Sequence, residues 1–330
     1  MNIYEVAEKA GVSATTVSRV INKSGLVSEK TEKRVLQVID ELGYRPNVFA
    51  KGLTTNSMQT IGILTTNICD LYFATAIQEI VRFAREKNYD VILSHTEEAY
   101  EEKKKSLQML MDKRVDGIIL IGSVFKEMKD NSYIISAAQA VPIITLNSQI
   151  IGKNVYSVYC DDATGAYLAA DHLIRQGRSR IAFVHDVDTF SARNKLEGYY
   201  RAMREHEMEP LCKKCQSHVE GGMAAARELL ASPVLPDGII CSEDELAAGV
   251  LNVLNEKGIK VPEDIAVTGY NNLTIPKCTN PQLATVDGKV KLLAEYAFDC
   301  IHRVLNTGSG PNTIVITPEF IPGRSADAMK

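Results

Sequence analysis

The sequence contains no apolar run that approaches the roughly 18 residues of a membrane span. Its longest candidates are short stretches such as "GIILIG", so no membrane partner is expected. The opening "MNIYEVAEKAG" carries acidic residues and lacks an apolar h-region, which argues against a secretory signal peptide and for a cytoplasmic protein. In that compartment the seven cysteines read as thiols rather than as a disulfide framework. G-x-x-x-x-G-K-[ST], G-x-G-x-x-G, H-E-x-x-H and G-x-S-x-G are all missing. No catalytic constellation replaces them, so neither an enzyme nor a cofactor is expected. "CKKCQSH" places Cys212, Cys215 and His218 at C-x2-C-x2-H spacing. Three ligands in a loop without a fourth nearby is a weak zinc signal, and two exposed thiols is the plainer reading, so no metal is expected. The charge run "EEAYEEKKKS" reads as the solvated start of a helix.

What is present is a globular composition, 45% hydrophobic and 24% charged over 330 residues, long enough for two or more domains. The net charge of −4 is unevenly spread. Residues 1–58 hold eight Lys/Arg and six Asp/Glu, a balance of +2 that leaves −6 for the remainder. The contrast is mild and by itself a weak pointer to nucleic acid.

Residues 1–46 read as three short helices. Val6, Ala7 and Ala10 share a helical face that Gly11 ends; Ser13 is a good N-cap for the next helix, where Val17, Val20 and Ile21 repeat the spacing. Ser28 or Thr31 opens a third helix with Val35, Val38, Ile39 and Leu42 inward, closed by Gly43 and Pro46. On a wheel of about 100° per residue, Val17, Val20 and Ile21 gather within one arc. Ala14, Thr15, Ser18, Arg19 and Asn22 gather opposite, with Thr16 between them. A face of small and hydroxyl-bearing residues with one guanidinium suits close entry into a DNA major groove. It equally suits a solvated helix in any three-helix domain.

The first two helices form a helix-turn-helix pattern. "VSATTVSRVIN" and "ELGYRPN" together closely resemble the DNA-binding headpiece of the LacI/GalR family of bacterial transcription repressors, and "VFAKGLTTNSMQTIG" resembles its hinge. The resemblance places Ala14 and Thr15 at operator-choosing positions, Arg19 at a base-reading position, and Thr16, Ser18 and Asn22 at phosphate contacts. Leu53 falls where each hinge helix of a dimer wedges the minor groove. Gly52 weakens that helix intrinsically, which suits one that forms on DNA. The implied partners are a pseudo-palindromic double-stranded operator and a second copy of the chain.

From residue 59 onward, apolar strand-like runs alternate with amphipathic helices, from "TIGIL" and "DVILS" to "DIAVTGY" and "TIVIT". Repeated βα units imply parallel sheets covered by helices, and two such series suggest two Rossmann-like lobes. The core of the resembled family has this architecture, similar to periplasmic sugar-binding proteins. The expected fold is therefore a small all-α headpiece plus an α/β core of two lobes. The headpiece is expected at 1–46 and the hinge and linker at 47–58. The N-terminal lobe takes 59–159 with 288–317, and the C-terminal lobe 160–287 with 318–330.

A ligand is expected between the lobes, where strand C-termini converge. Candidate contacts are Asp70, Tyr72 and Phe73 in "DLYF", which keeps the aromatics of a family motif but not its proline, then Asn147 and Thr189. Arg193 matches the family's effector-binding arginine, Glu243 replaces a usual Asn, Asn271 replaces a usual Asp, and Asp287 lies at the lobe crossover. Asp244 reads more readily as a helix N-cap than as a ligand group. Carboxylates, amides and stacking aromatics suit a sugar or related polyol. The expected function is a dimeric, ligand-responsive, DNA-binding transcriptional regulator of the repressor type. A protein co-regulator as input, or a solute-binding protein without DNA function, are the alternatives.

Overall fold

The computed structural model describes residues 2–22, 24–44 and 57–327. The chain divides into two compact units, Met1–Gln59 and Thr60–Lys330.

The first unit holds three helices: α1 (Ile3–Ala10), α2 (Ala14–Asn22) and α3 (Glu29–Leu42). Their ends follow from local chemistry. Asn2 Oδ1 accepts from the amides of Tyr4 and Glu5 at 2.9 and 3.1 Å, Ser13 Oγ accepts from Thr16 N at 3.2 Å, and Ser28 Oγ accepts from Thr31 N at 3.3 Å. Gly11 and Gly43 close α1 and α3 in the left-handed region, at φ +60° and +58°, where a Cβ is penalised. Val6, Ala7, Ala10, Val17, Val20, Val35 and Val38 make a core of small side chains, which lets three short helices approach closely.

The second unit contains two six-stranded sheets. The first is built from β1 (Thr60–Thr65), β2 (Asp90–His95), β3 (Gly117–Ile121), β4 (Ile143–Leu146), β5 (Val155–Cys160) and β11 (Thr313–Ile316), in the order β11-β5-β4-β3-β1-β2. The second is built from β6 (Ile181–His185), β7 (Leu211–Lys214), β8 (Gly238–Cys241), β9 (Ala266–Tyr270), β10 (Ala284–Asp287) and β12 (Glu319–Ile321), in the order β12-β10-β9-β8-β6-β7. Every pairing is parallel except that of β12 with β10. Helices cover both faces, so central strands such as "GIILI" and "GIIC" are buried at every position. The α/β fold expected from alternating βα units is the one observed. β7, β10, β12 and the short helix Ile275–Cys278 fall outside that expectation, being three or four residues long with no periodicity to mark them.

Read from the first strand of each, both sheets run 2-1-3-4-5, and each takes its sixth strand from the end of the chain. The strand order therefore reverses between β1 and β3 and again between β6 and β8. The loops leaving such strands diverge and open a crevice. The chain passes between the sheets three times, after β5, after β10 and after β11. Helices Asp162–Arg175 and Phe190–Glu205 pack so closely that a Cβ on Gly198 would lie 1.9 Å from the Ala163 carbonyl oxygen.

Candidate functional site

Two surfaces carry functional potential. On α2, Val17 and Val20 are buried, while Thr15 and Arg19 are exposed and Ala14, Thr16 and Ser18 lie half-buried on the other side. The polar face of the wheel is thus the accessible one. Its first turn carries no acidic side chain, so its amide dipoles stay available to a phosphate. Thr16 Oγ1 also exchanges a 2.9 Å hydrogen bond with Ser13 Oγ, which fixes the start of the helix. The Arg19 stem runs beside Gly25, where an added Cβ would sit 3.4 Å from Arg19 Cδ. Asn22 is the last residue of α2. Leu53 and Gly52 lie outside the described residues.

The second surface is a cavity of about 270 Å³ between the two sheets. Loops after the strands of both sheets line it. Thr66, Asn67 and Asp70 follow β1, Ser123 follows β3, and Asn147 follows β4; Asp186 and Thr189 follow β6, Ser242 and Glu243 follow β8, and Asn271 follows β9. Four of these loops flank the two switch points. The topology therefore delivers polar groups to one crevice from both sides. Ser123 Oγ donates across it to Thr189 Oγ1 at 2.9 Å, linking a loop of one sheet to a loop of the other.

The cavity wall is a charged network. Lys195, fully buried on helix Phe190–Glu205, donates from Nζ to Ser242 O at 2.8 Å and to Glu243 Oε1 at 3.0 Å, and sits 4.0 Å over the Tyr270 ring. Burial alone pulls the ammonium pKa down, but the Glu243 and Asp162 carboxylates outweigh it and the net shift is upward. Glu243, N-cap of helix Asp244–Glu256, is pushed up by burial despite Lys195, and its Oε2 accepts from Asn271 Nδ2. Asp162 is buried and raised by that burial; it accepts from Ser191 Oγ at 2.5 Å and Tyr270 OH at 2.8 Å. The Tyr72 hydroxyl is buried with no hydrogen-bond partner among the described residues.

Of the residues expected in the cleft, Asp70, Tyr72, Phe73, Asn147, Thr189, Glu243 and Asn271 line the cavity. Asp70 and Thr189 also cap helices: Asp70 Oδ1 accepts from Tyr72 N and Phe73 N, and Thr189 Oγ1 from Ala192 N. Asn147 and Asn271 both adopt positive φ, +65° and +103°, which turns the chain sharply at the strand ends. Two residues depart from expectation. Arg193 is not in the lining, because Asp188 draws its guanidinium into a two-pronged pair at 2.6 and 2.9 Å on the exposed rim. Asp287 is also absent from the lining, held by Lys289 through its backbone amide at 2.8 Å and its ammonium at 2.9 Å.

Lys195 and Asp162 escaped the sequence reading. The signal for Lys195 is its place on an apolar stripe, Ala192, Lys195, Tyr199 and Ala202, a spacing that forces a lysine inward. Asp244 is not the N-cap expected; it is the first helical residue and accepts from Thr285 Oγ1 at 2.6 Å. Cys212 and Cys215 are half-buried rather than exposed, with Cys212 Sγ 3.3 Å from Tyr200 OH, because β7 draws this stretch into the second sheet. His218 Nδ1 lies 2.7 Å from a Glu245 oxygen. Among the described residues no His, Cys, Asp or Glu group is arranged to hold a metal ion, and no helix is long and apolar enough to cross a membrane.

Comparison with known proteins gives both parts a counterpart. Residues 2–47 match bacterial regulatory proteins of the lacI family, and residues 170–326 match a periplasmic binding protein-like domain. An HTH-type transcriptional regulator of Lachnoclostridium phytofermentans is 39% identical over 327 residues, spanning 97% of this chain and 98% of that protein. The crystal structure of the Lac repressor dimer bound to operator and the anti-inducer ONPF has a TM-score of 0.91 at 25% identity, covering 99% of each chain. The complex of the transcriptional regulator CelR with cellobiose has a TM-score of 0.73 at 25% identity, covering 98% of this chain and 99% of the other.

Proposed function

This chain belongs to the lacI family of bacterial regulatory proteins and is a DNA-binding transcriptional regulator, and we propose on that premise that it is a cytoplasmic repressor controlled by a small polyhydroxylated ligand. In this reading α2 enters the major groove, with Arg19 and Thr15 reading base edges and Thr16, Ser18 and Asn22 holding phosphates. Ala14 offers a methyl contact. Two copies of the chain bind a pseudo-palindromic site, and the paired Leu53 side chains wedge its centre. The headpiece occupies residues 1–46, the hinge 47–58, and two lobes the remainder.

The cleft is the regulatory input. The observation that carries this is the convergence of loops from both sheets on one polar cavity, with aromatic rings of Tyr72, Phe73 and Tyr270 beside it. Asn147, Thr189, Glu243 and Asn271 offer hydroxyl partners, and Lys195 holds Glu243 in place. A ligand that touches both walls favours one angle between them. That preference, passed to the DNA-binding unit, is a coupling free energy between two sites. The test is in two steps. Operator selection from random DNA should return a symmetric site, and a thermal-shift screen of sugars and polyols should return a ligand that changes affinity for that site. A ligand that binds without altering DNA affinity would remove the regulatory role, and an asymmetric selected site would remove the dimeric one.

A further inference from the structure

The polar groups of the cleft are out of balance. Resting on the reading of that cleft as an effector site, we infer that its ligand carries a positively charged amino group: an amino sugar or other aminated polyol, rather than a neutral sugar or a sugar phosphate. Seven carboxylates line the cavity against one lysine and one histidine. Both cations are already engaged, Lys195 with Glu243 and His218 with Glu245. The lining contains no arginine, and Asp188 holds the Arg193 guanidinium outside it.

The hydrogen-bond inventory points the same way. Several of the strongest donors at the walls are used internally. Lys195 Nζ serves Ser242 O and Glu243, the Asn271 amide serves Glu243, Ser123 serves Thr189, and Ser191 and Tyr270 serve Asp162. Acceptors are left over. Asp186 receives one long side-chain bond among the described residues, from Ser242 Oγ at 3.4 Å, and Glu98 stands exposed at the margin. The Tyr72 hydroxyl, buried and unpartnered among the described residues, can accept as well as donate. A phosphate accepts only and would face walls already full of acceptors. A sugar hydroxyl both accepts and donates, whereas an ammonium donates three bonds and accepts none, which is the complement of this surface.

The field agrees with the inventory. Asp162, Asp186 and Glu243 share the charge of Lys195; Asp186 and Asp70 both act on Glu243, with Glu245 and His218 adding opposed contributions at Asp70. Burial has raised the carboxyls of Asp70, Asp162 and Glu243, and a bound cation would favour their charged forms. The rings of Tyr72 and Phe73 also line the cavity, and an aromatic ring attracts a cation.

The test compares ligands of one scaffold and three charges: glucose, glucosamine and glucose 6-phosphate, with the three galactose counterparts, titrated calorimetrically into the full chain at low and high salt. The amine is expected to bind about tenfold or more tightly than its neutral parent, with the phosphate weakest and the gap narrowing in salt. Asp186→Asn is expected to erase that preference. Glu98→Gln, at an exposed position, gives the same reading with reduced size if the first variant misfolds. A neutral or phosphorylated member that binds more tightly than the amine overturns the inference and leaves the cleft an effector site. Absence of binding in all three charge classes, by protein that still binds its selected DNA, overturns the effector reading itself and the inference with it.

Discussion

Lys195 Nζ and Glu243 Oε1 lie 3.0 Å apart in the cleft wall, joining a helix after β6 to the loop after β8. The lysine has almost no exposed surface, while Glu243 keeps 36% of its side chain open to the cleft. Removing the lysine strands the Glu243 and Asp162 carboxylates without a counter-ion. Lys195→Met is expected to lower unfolding free energy by about 3 kcal/mol in urea denaturation. Lys195→Met with Glu243→Gln should recover part of that loss; a double variant as unstable as the sum of its singles would show that the pair is not coupled.

Arg193 makes a different prediction. Its partner Asp188 is 60% exposed, so water screens the pair. Arg193→Ala should leave the urea midpoint and the ligand response of DNA binding nearly unchanged, whereas Lys195→Met should blunt the response. The reverse ranking in a ligand-titrated DNA-binding assay would put the guanidinium, not the ammonium, at the ligand.

On α2, Arg19 is exposed and contributes little to the core formed by Val17 and Val20. Arg19→Ala should cost about 1–3 kcal/mol of affinity for the selected operator and relax base preference at one position. Helix content by circular dichroism should stay the same. A uniform loss across all sequences would instead mark Arg19 as a phosphate contact.

Asp244 predicts a pH dependence. Burial raises its carboxyl to about 7, with Thr285 opposing through a 2.6 Å hydrogen bond. A carboxyl whose pKa is higher folded than unfolded holds its proton in the folded state. Its contribution is full below about 4 and fades as pH rises through the folded value. The wild-type chain should therefore lose stability relative to Asp244→Asn as pH climbs from about 4 to 7. A constant difference across that window would mean Asp244 does not titrate there.

Much of this architecture was legible. Continuous apolar runs bounded by turn residues marked the long buried strands, and helical spacing with Ser and Gly at the ends marked α1, α2 and α3. β7 and β12 were not, because "LCKK" and "EFI" owe their strand state to a neighbouring edge and not to their own pattern. In the cleft, position after a strand identified Asp70, Asn147 and Asn271 as lining groups, since topology alone brings such loops together. Side-chain direction was legible only in part, since the apolar stripe through Lys195 turns it inward but nothing local marks Arg193 for the rim. Arg193 and Lys195 lie two residues apart on one helix, and about 200° of rotation sends one to the rim and the other to the core. Which one turns inward is decided by Asp188 outside and by Glu243 and Asp162 inside, residues distant in the chain or on another loop.

The three passages of the chain between the sheets carry a mechanical consequence. Two bodies tied by one strand can tumble, and tied by two can still shear; a triple tether suppresses both and leaves mainly rotation about the line of the ties. Each body is also stitched from separated stretches of chain, since β11 and β12 arrive from beyond helix Val290–Thr307 to edge sheets begun far earlier. A truncation before Thr313 strips an edge from both at once, so the hinge and the two plates it joins should fail in a single event rather than one after the other.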